Sequence, residues 1–263
     1  MTRENSKNDF PYWLVAAGLI AGYFFYQIAA NELYSQVMAT VSKGVGITIF
    51  VTLVGFLSAS IMGLLLAVAS LSRFLVIRQC ARFYIEIIRG LPILVLLLYI
   101  AFVGTPILIE AVNLVIAPLG FDTLRTRDFP LIWRAITALA IGYSAFIAEV
   151  FRAGIQAVDK GQIEAAEALG MGPWLRFRLI VFPQALRTIL PPLGNDFIAM
   201  IKDSSLVSVL GVADLTQLGK IYASGSFRFL ETYNVVALLY LVMTISLSLM
   251  LRRFERKTAP LER

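Results

Sequence analysis

Apolar residues dominate six stretches of this chain, at about 13–30, 44–71, 83–109, 131–153, 184–201 and 233–251. Each comes near the roughly 20 predominantly apolar residues that a helix needs to cross a bilayer. The pattern predicts an all-α, polytopic protein with six transmembrane helices, since a spanning segment must satisfy its backbone polar groups internally. The polar positions between these stretches are not evenly signed. Arg73, Arg78 and Arg82 follow the second, Lys160, Arg176 and Arg178 follow the fourth, and Arg252, Arg253, Arg256 and Lys257 follow the sixth. The segments 110–130 and 202–232 instead mix bases with Asp122, Asp128, Asp203, Asp214 and Glu231. Lys and Arg mark the cytoplasmic side, so both termini are expected in the cytoplasm and the two mixed loops outside.

Composition agrees with lipid as the solvent. Of 263 residues, 59% are hydrophobic and 15% charged, against about 25% charged in globular domains. The net charge of +6 sits beside apolar runs and reads as topological rather than as a nucleic-acid surface. The chain has no His and a single cysteine, Cys80. Imidazole acid–base chemistry, His-ligated metal sites and an internal disulfide are thereby excluded, and no catalytic or metal-ligating set is expected. Arg3 and Lys7 ahead of the first apolar run also suit a cleaved signal peptide, but the run exceeds a usual h-region, and Tyr23, Phe24, Phe25 and Tyr26 suit an interfacial belt. Retention as a first helix is the expectation. Gly18 and Gly22 form a GxxxG that is either a dimer face or chance spacing among 18 glycines.

The loop 154–183 carries the most specific signal. Residues 162–169 are strong helix formers followed by Gly170, which is able to take a left-handed C-cap conformation. A short helix should therefore stand out from the membrane. Ala165, Ala166 and Ala168 permit close approach to another surface, and Glu164 and Glu167 near the N-terminal turn favour the helix dipole. Such a knob suits docking.

Glu164-Ala165-Ala166, then Gly170, Ile180 and Phe182-Pro183 at their spacings, is similar to the EAA signature of ABC importer permeases, with Phe182 where Leu is usual. A wider resemblance to the polar amino-acid branch runs from about residue 40 to 253. It includes Ile88-Arg89-Gly90-Leu91-Pro92, Phe146 to Gly154, Leu190-Pro191-Pro192-Leu193-Gly194-Asn195-Asp196-Phe197 and Lys202-Asp203-Ser204-Ser205-Leu206. The resemblance implies a type I ABC importer permease for an L-amino acid in the bacterial inner membrane, working by alternating access. It makes 162–170 a coupling helix that inserts into a separate ATPase subunit, where ATP and Mg would be held, with Glu164, Ala165, Ala166, Glu167 and Gly170 as coupling residues. Further implied partners are a second permease subunit, identical or paralogous, and a solute-binding protein. Leu96 stands where that branch often has Gln. The corresponding division is an N-terminal tail and extra helix over 1–40, a transmembrane domain over 41–254 and a cytoplasmic tail over 255–263.

Two polar clusters lie in apolar surroundings, where they are costly unless they face protein or water. Segment 184–201 carries Arg187, Pro191-Pro192, Asn195 and Asp196. Prolines remove backbone donors and are expected to break the helix there. The freed carbonyls with Asn195 and Asp196 either line a translocation path or form a structural kink, Asp196 pairing with Lys202 or Arg187. Glu86 with Arg89, and Glu149 with Arg152, are i, i+3 pairs. These are either local ion pairs at the interface or a cross-helix inner gate. No G-x-x-x-x-G-K-[ST] loop occurs, Lys220 being followed by Ile221 and Lys43 by Gly44, so this chain lacks the usual phosphate cradle of an ATPase. An intramembrane enzyme would need a nucleophile with a base, and a secondary transporter would more often show a repeat between halves.

Overall fold

The computed structural model describes residues 12–258. Arg3, Lys7 and the end of the 255–263 tail lie outside the described residues. Helices α1 Tyr12–Ala30 and α2 Glu32–Val41 are followed by a 3-10 turn, Ser42–Gly44, that leads directly into α3 Val45–Ser70. Then come α4 Leu75–Gly90, α5 Ile93–Tyr99, α6 Thr105–Ile116, α7 Leu131–Gln156, α8 Lys160–Ala168, α9 Pro173–Arg176, α10 Phe182–Asp203, α11 Leu215–Ser226 and α12 Phe229–Thr258. No strand occurs among the described residues.

Among the described residues, five helical runs are long and apolar enough to cross a membrane: 12–30, 32–70, 93–119, 131–156 and 229–255. The sixth expected span is α10, whose Arg187, Asn195, Asp196 and Lys202 make it more polar than the other five. The expected third span, 83–109, is shifted to begin at Ile93. Pro92 holds Leu91 in an extended conformation, φ −98° and ψ 137°, and the residues before it form the separate amphipathic helix α4. The mixed loops are also more ordered than a loop reading implied: α6 runs into 110–116, and α11 occupies 215–226.

The double proline does not break α10, which is helical through Pro191 and Pro192. The two missing N–H groups leave the carbonyls four residues earlier, of Arg187 and Thr188, without helical donors. Packing holds the helix together regardless, Ile189 being buried before the prolines and Met200 after them. Two π-turns, Ile100–Gly104 and Phe177–Val181, each precede a proline by one residue, Pro106 and Pro183. A wider turn accommodates a ring that has no N–H to give.

The centre of the fold is the parallel pair α3 and α7. Gly55, Ala59, Gly63 and Ala67 recur every fourth residue on α3 and are all buried, a small-residue face that allows close helix approach. Leu139, Ala145 and Ile147 of α7 are buried, and a Cβ on Gly63 would lie 2.8 Å from Ile147. Arg134, in the first turns of α7, is buried without an ion pair among the described residues. Its guanidinium donates to the carbonyls of Phe129 (2.9 Å), Ala101 (3.3 Å) and Thr126, fastening the 117–130 connection to the bundle. At that end α2, α11 and the start of α12 share a core of Val37, Val41, Leu215, Val235 and Val236. Asp214 caps α11 there, accepting from the Gln217 N–H at 2.8 Å. Its burial pushes the carboxyl up to about 6, against the lowering effect of the Gln217 and Thr216 backbone bonds.

The Gly18 and Gly22 face meets nothing within 4 Å in this chain. Helix α1 rests on α2 and α12, and Arg252 lies 5.7 Å from the Trp13 ring centroid. The start of α1 and the end of α12 are thus at the same end of the bundle.

Candidate functional site

The protruding element at the end of α7 is α8. Asp159 caps it, its Oδ1 accepting from the N–H groups of Gly161 (2.6 Å) and Gln162 (3.3 Å), a contact worth about 1 kcal/mol. The exit is a paired Schellman turn: the Gly170 N–H donates to the Glu167 carbonyl at 2.9 Å and the Met171 N–H to that of Ala166 at 3.1 Å. Gly170 has φ 77°, the left-handed conformation that a side chain disfavours. The three alanines do not act alike. Ala166 is buried against the chain's own residues, whereas Glu164, Ala165, Glu167 and Ala168 are exposed, and Leu169 just beyond is 78% exposed.

Helix α8 is held at a fixed attitude rather than tethered loosely. Glu167 pairs with Arg176 of α9 at 3.0 Å, and Gln184 of α10 donates to Gln162 at 2.6 Å. Beneath it, Val158, Ala185 and Ile189 form a small core with Ile163 and Phe151. The approach of α7 to α10 is so close that a Cβ on Gly154 would lie 2.2 Å from the Ile189 side chain. Helix α8 is thus packed against the ends of two spanning helices, α7 and α10.

Asn195 is exposed and Asp196 half-buried on α10. Asp196 makes no ion pair with Lys202 or Arg187 among the described residues, and its Oδ2 is buried with no hydrogen-bond partner. On the facing side the Tyr143 hydroxyl donates to Asp203 at 2.7 Å. Asp203 stood within a recognised stretch of sequence, but nothing there paired it with a tyrosine sixty residues away. A buried carboxylate oxygen without a donor is costly and suits a site that receives a polar or cationic group from outside the chain.

Of the two i, i+3 pairs, Arg152 and Glu149 meet, Nε to Oε1 at 3.1 Å, and Arg152 also donates to Gln156 at 2.8 Å. Glu86 is exposed and makes no ion pair with Arg89 among the described residues. Arg89 instead lies 5.8 Å from the centroid of Phe146, one turn before Glu149, so it reaches toward α7 from α4. A double-mutant cycle of Arg89→Ala and Glu149→Ala should show a coupling of about 0.5–1 kcal/mol in transport or basal ATPase rate. Strict additivity would return Arg89 to an independent role.

Comparison with known proteins bears on all of these elements. A family model described as the binding-protein-dependent transport system inner membrane component matches residues 59–260. The glutamine transport system permease protein of Escherichia coli is 37% identical over 215 residues, covering 82% of this chain and 91% of that one. The arginine transport system permease protein of Bacillus subtilis is 32% identical over 215 residues, 82% and 90% of the two chains. Among solved structures, an amino acid ABC transporter crystallised with histidines superposes with a TM-score of 0.70 at 39% identity, over 85% of this chain and 95% of that one. An inward-facing methionine ABC transporter superposes with a TM-score of 0.64 at 20% identity, over 85% and 98%, a likeness of fold.

Proposed function

Since the chain belongs to the family of binding-protein-dependent transport system inner membrane components, we propose that it carries an L-amino acid inward by alternating access, driven through α8 by a separate ATPase. It is a multi-pass permease subunit of an ABC importer, and ATP hydrolysis belongs to a partner subunit. The family implies an ATPase and a solute-binding protein as partners. A second permease subunit, identical or paralogous, completes the path in this reading.

The observation that carries the coupling role is the attitude of α8: capped at both ends, braced by α9 and α10, and exposed along Glu164, Ala165, Ala168 and Leu169. Docking of an ATPase on that face would move α7 and α10 as a unit. The polar side chains of α10 and the carboxylate of Asp196 then line the route, and the Glu149–Arg152 region with Arg89 closes it toward the ATPase. Support for the substrate class comes from the amino acid transporters that the chain resembles, and from a site offering both amide and carboxylate groups.

Orientation follows from the Arg and Lys distribution, and the Trp13–Arg252 contact puts the beginning of α1 on the same side as the end of α12. In a Cys80→Ser background, Leu169→Cys should be reached by a membrane-impermeant maleimide only in inside-out vesicles. Labelling from outside intact cells would overturn the coupling role together with the topology.

A further inference from the structure

Two helical turns separate Asp196 from Asp203 on α10, which places the two carboxylates on one face of the helix. Tyr143 of α7 is buried and meets that face with its hydroxyl. The hydroxyl donates its one proton to Asp203 at 2.7 Å, and Asp196 is near enough for its charge to act on the same group. Tyr143 therefore has no donor left for Asp196, whose Oδ2 is buried without a hydrogen-bond partner. Cations are present on the same helix but are not engaged here. Arg187 and Lys202 are both exposed, and neither makes an ion pair with either carboxylate among the described residues. The face thus carries two acids with no guanidinium or ammonium paired to them, in surroundings where an unpaired charge is costly.

We propose that the amino acid carried is one with a cationic side chain, its guanidinium or ammonium received by Asp196 beside the Tyr143–Asp203 pair. The inference rests on the reading of Asp196 as part of the route and adds to it the charge of what passes. The α-ammonium common to all amino acids does not suffice as the counter-charge. It is joined to the same carbon as the α-carboxylate, so a face that draws in the one meets the other at nearly the same distance, and attraction and repulsion largely cancel. A side-chain cation several bonds away brings its charge to Asp196 while the α-carboxylate stays back. Two acids on one face also raise the local concentration of a substrate with net positive charge and lower that of an anionic one. A guanidinium in addition offers paired donors to a carboxylate that has an oxygen to spare.

The test measures equilibrium binding to the purified complex of this chain with its ATPase and any second permease subunit. The solute-binding protein is left out, because its own selectivity would otherwise be read. Labelled L-arginine should bind about tenfold or more tighter than labelled L-glutamine. L-Citrulline, which has a neutral urea where arginine has its guanidinium, should displace arginine no better than glutamine does, a reading that needs no variant to fold. Asp196→Asn should bring arginine down to the level of glutamine, and Asp196→Glu should keep the preference. Equal or tighter binding of glutamine overturns the cationic class, as do displacement by citrulline as effective as by arginine itself and a lack of measurable arginine binding. If Asp196→Ala then lowers the binding of glutamine, Asp196 keeps its place on the route and only the inference falls. Binding of both amino acids unchanged in Asp196→Asn and Asp196→Ala would remove Asp196 from the route and overturn the inference with it.

Discussion

Gly170→Val is expected to uncouple the transporter, reducing ATPase association about tenfold or more and uptake with it. The residue sits at φ 77°, where a β-branched side chain costs on the order of 1–3 kcal/mol. Space is not the difficulty, since nothing lies within 4 Å of a Cβ placed there; the backbone conformation is. Relief of that strain opens the two bonds to the Glu167 and Ala166 carbonyls, and with them the turn that brings the chain back toward α9. Helix α8 then loses the direction in which it meets a partner. Glu164→Ala is expected to behave differently. Alanine favours helix, and the Glu164 side chain is exposed, so the helix persists and only contacts at the docking face are lost. Its ATPase should bind within a fewfold of normal yet respond less to loaded binding protein. Co-purification of the ATPase with each variant separates the two effects.

Asp196→Ala should lower uptake at least tenfold while the subunit still assembles with its ATPase. The reason lies in its surroundings: the carboxylate has a buried oxygen without a donor and no cation beside it among the described residues, so within this chain it is a cost rather than a brace. Removing it should not destabilise the bundle. Had it been paired with Lys202 or Arg187, the same substitution would strand a cation and impair insertion. Uptake of labelled L-amino acid and membrane abundance are measured together. Loss of the protein from the membrane would give Asp196 to the framework, and normal kinetics in Asp196→Leu would remove it from both roles.

Much of this was legible in the order of residues. Capping by Asp159 and the left-handed exit at Gly170 follow from local chemistry, since both are set within a few residues of the helix they end. The apolar runs located the spans, except where one proline cut across a run: Pro92 separates the amphipathic α4 from the apolar α5 inside the expected span 83–109. Pro191 and Pro192 erred in the other direction, because packing with residues far along the chain keeps α10 helical through them. The small-residue face at Gly55, Ala59, Gly63 and Ala67 becomes a helix contact only once α7 is seen against it. Ala166 could not be told from Ala165, because which alanine faces inward depends on how α9 returns. Tyr143 with Asp203, and Arg134 with three carbonyls, join residues whose partners are fixed only by the tertiary fold.

Reconstitution reaches the central claim most directly. The chain, its ATPase, any second permease subunit and the solute-binding protein are placed in liposomes with ATP on the α8 side, and uptake of labelled L-amino acid is read beside ATP hydrolysis for the unaltered chain, Glu164→Ala and Gly170→Val. Uptake that requires ATP on that side, falls in both variants and, in Glu164→Ala, falls further than ATP hydrolysis is the predicted result. Uptake at the unmodified rate in both variants, with the ATPase still bound, would contradict the assignment of α8 as the element through which ATP drives transport.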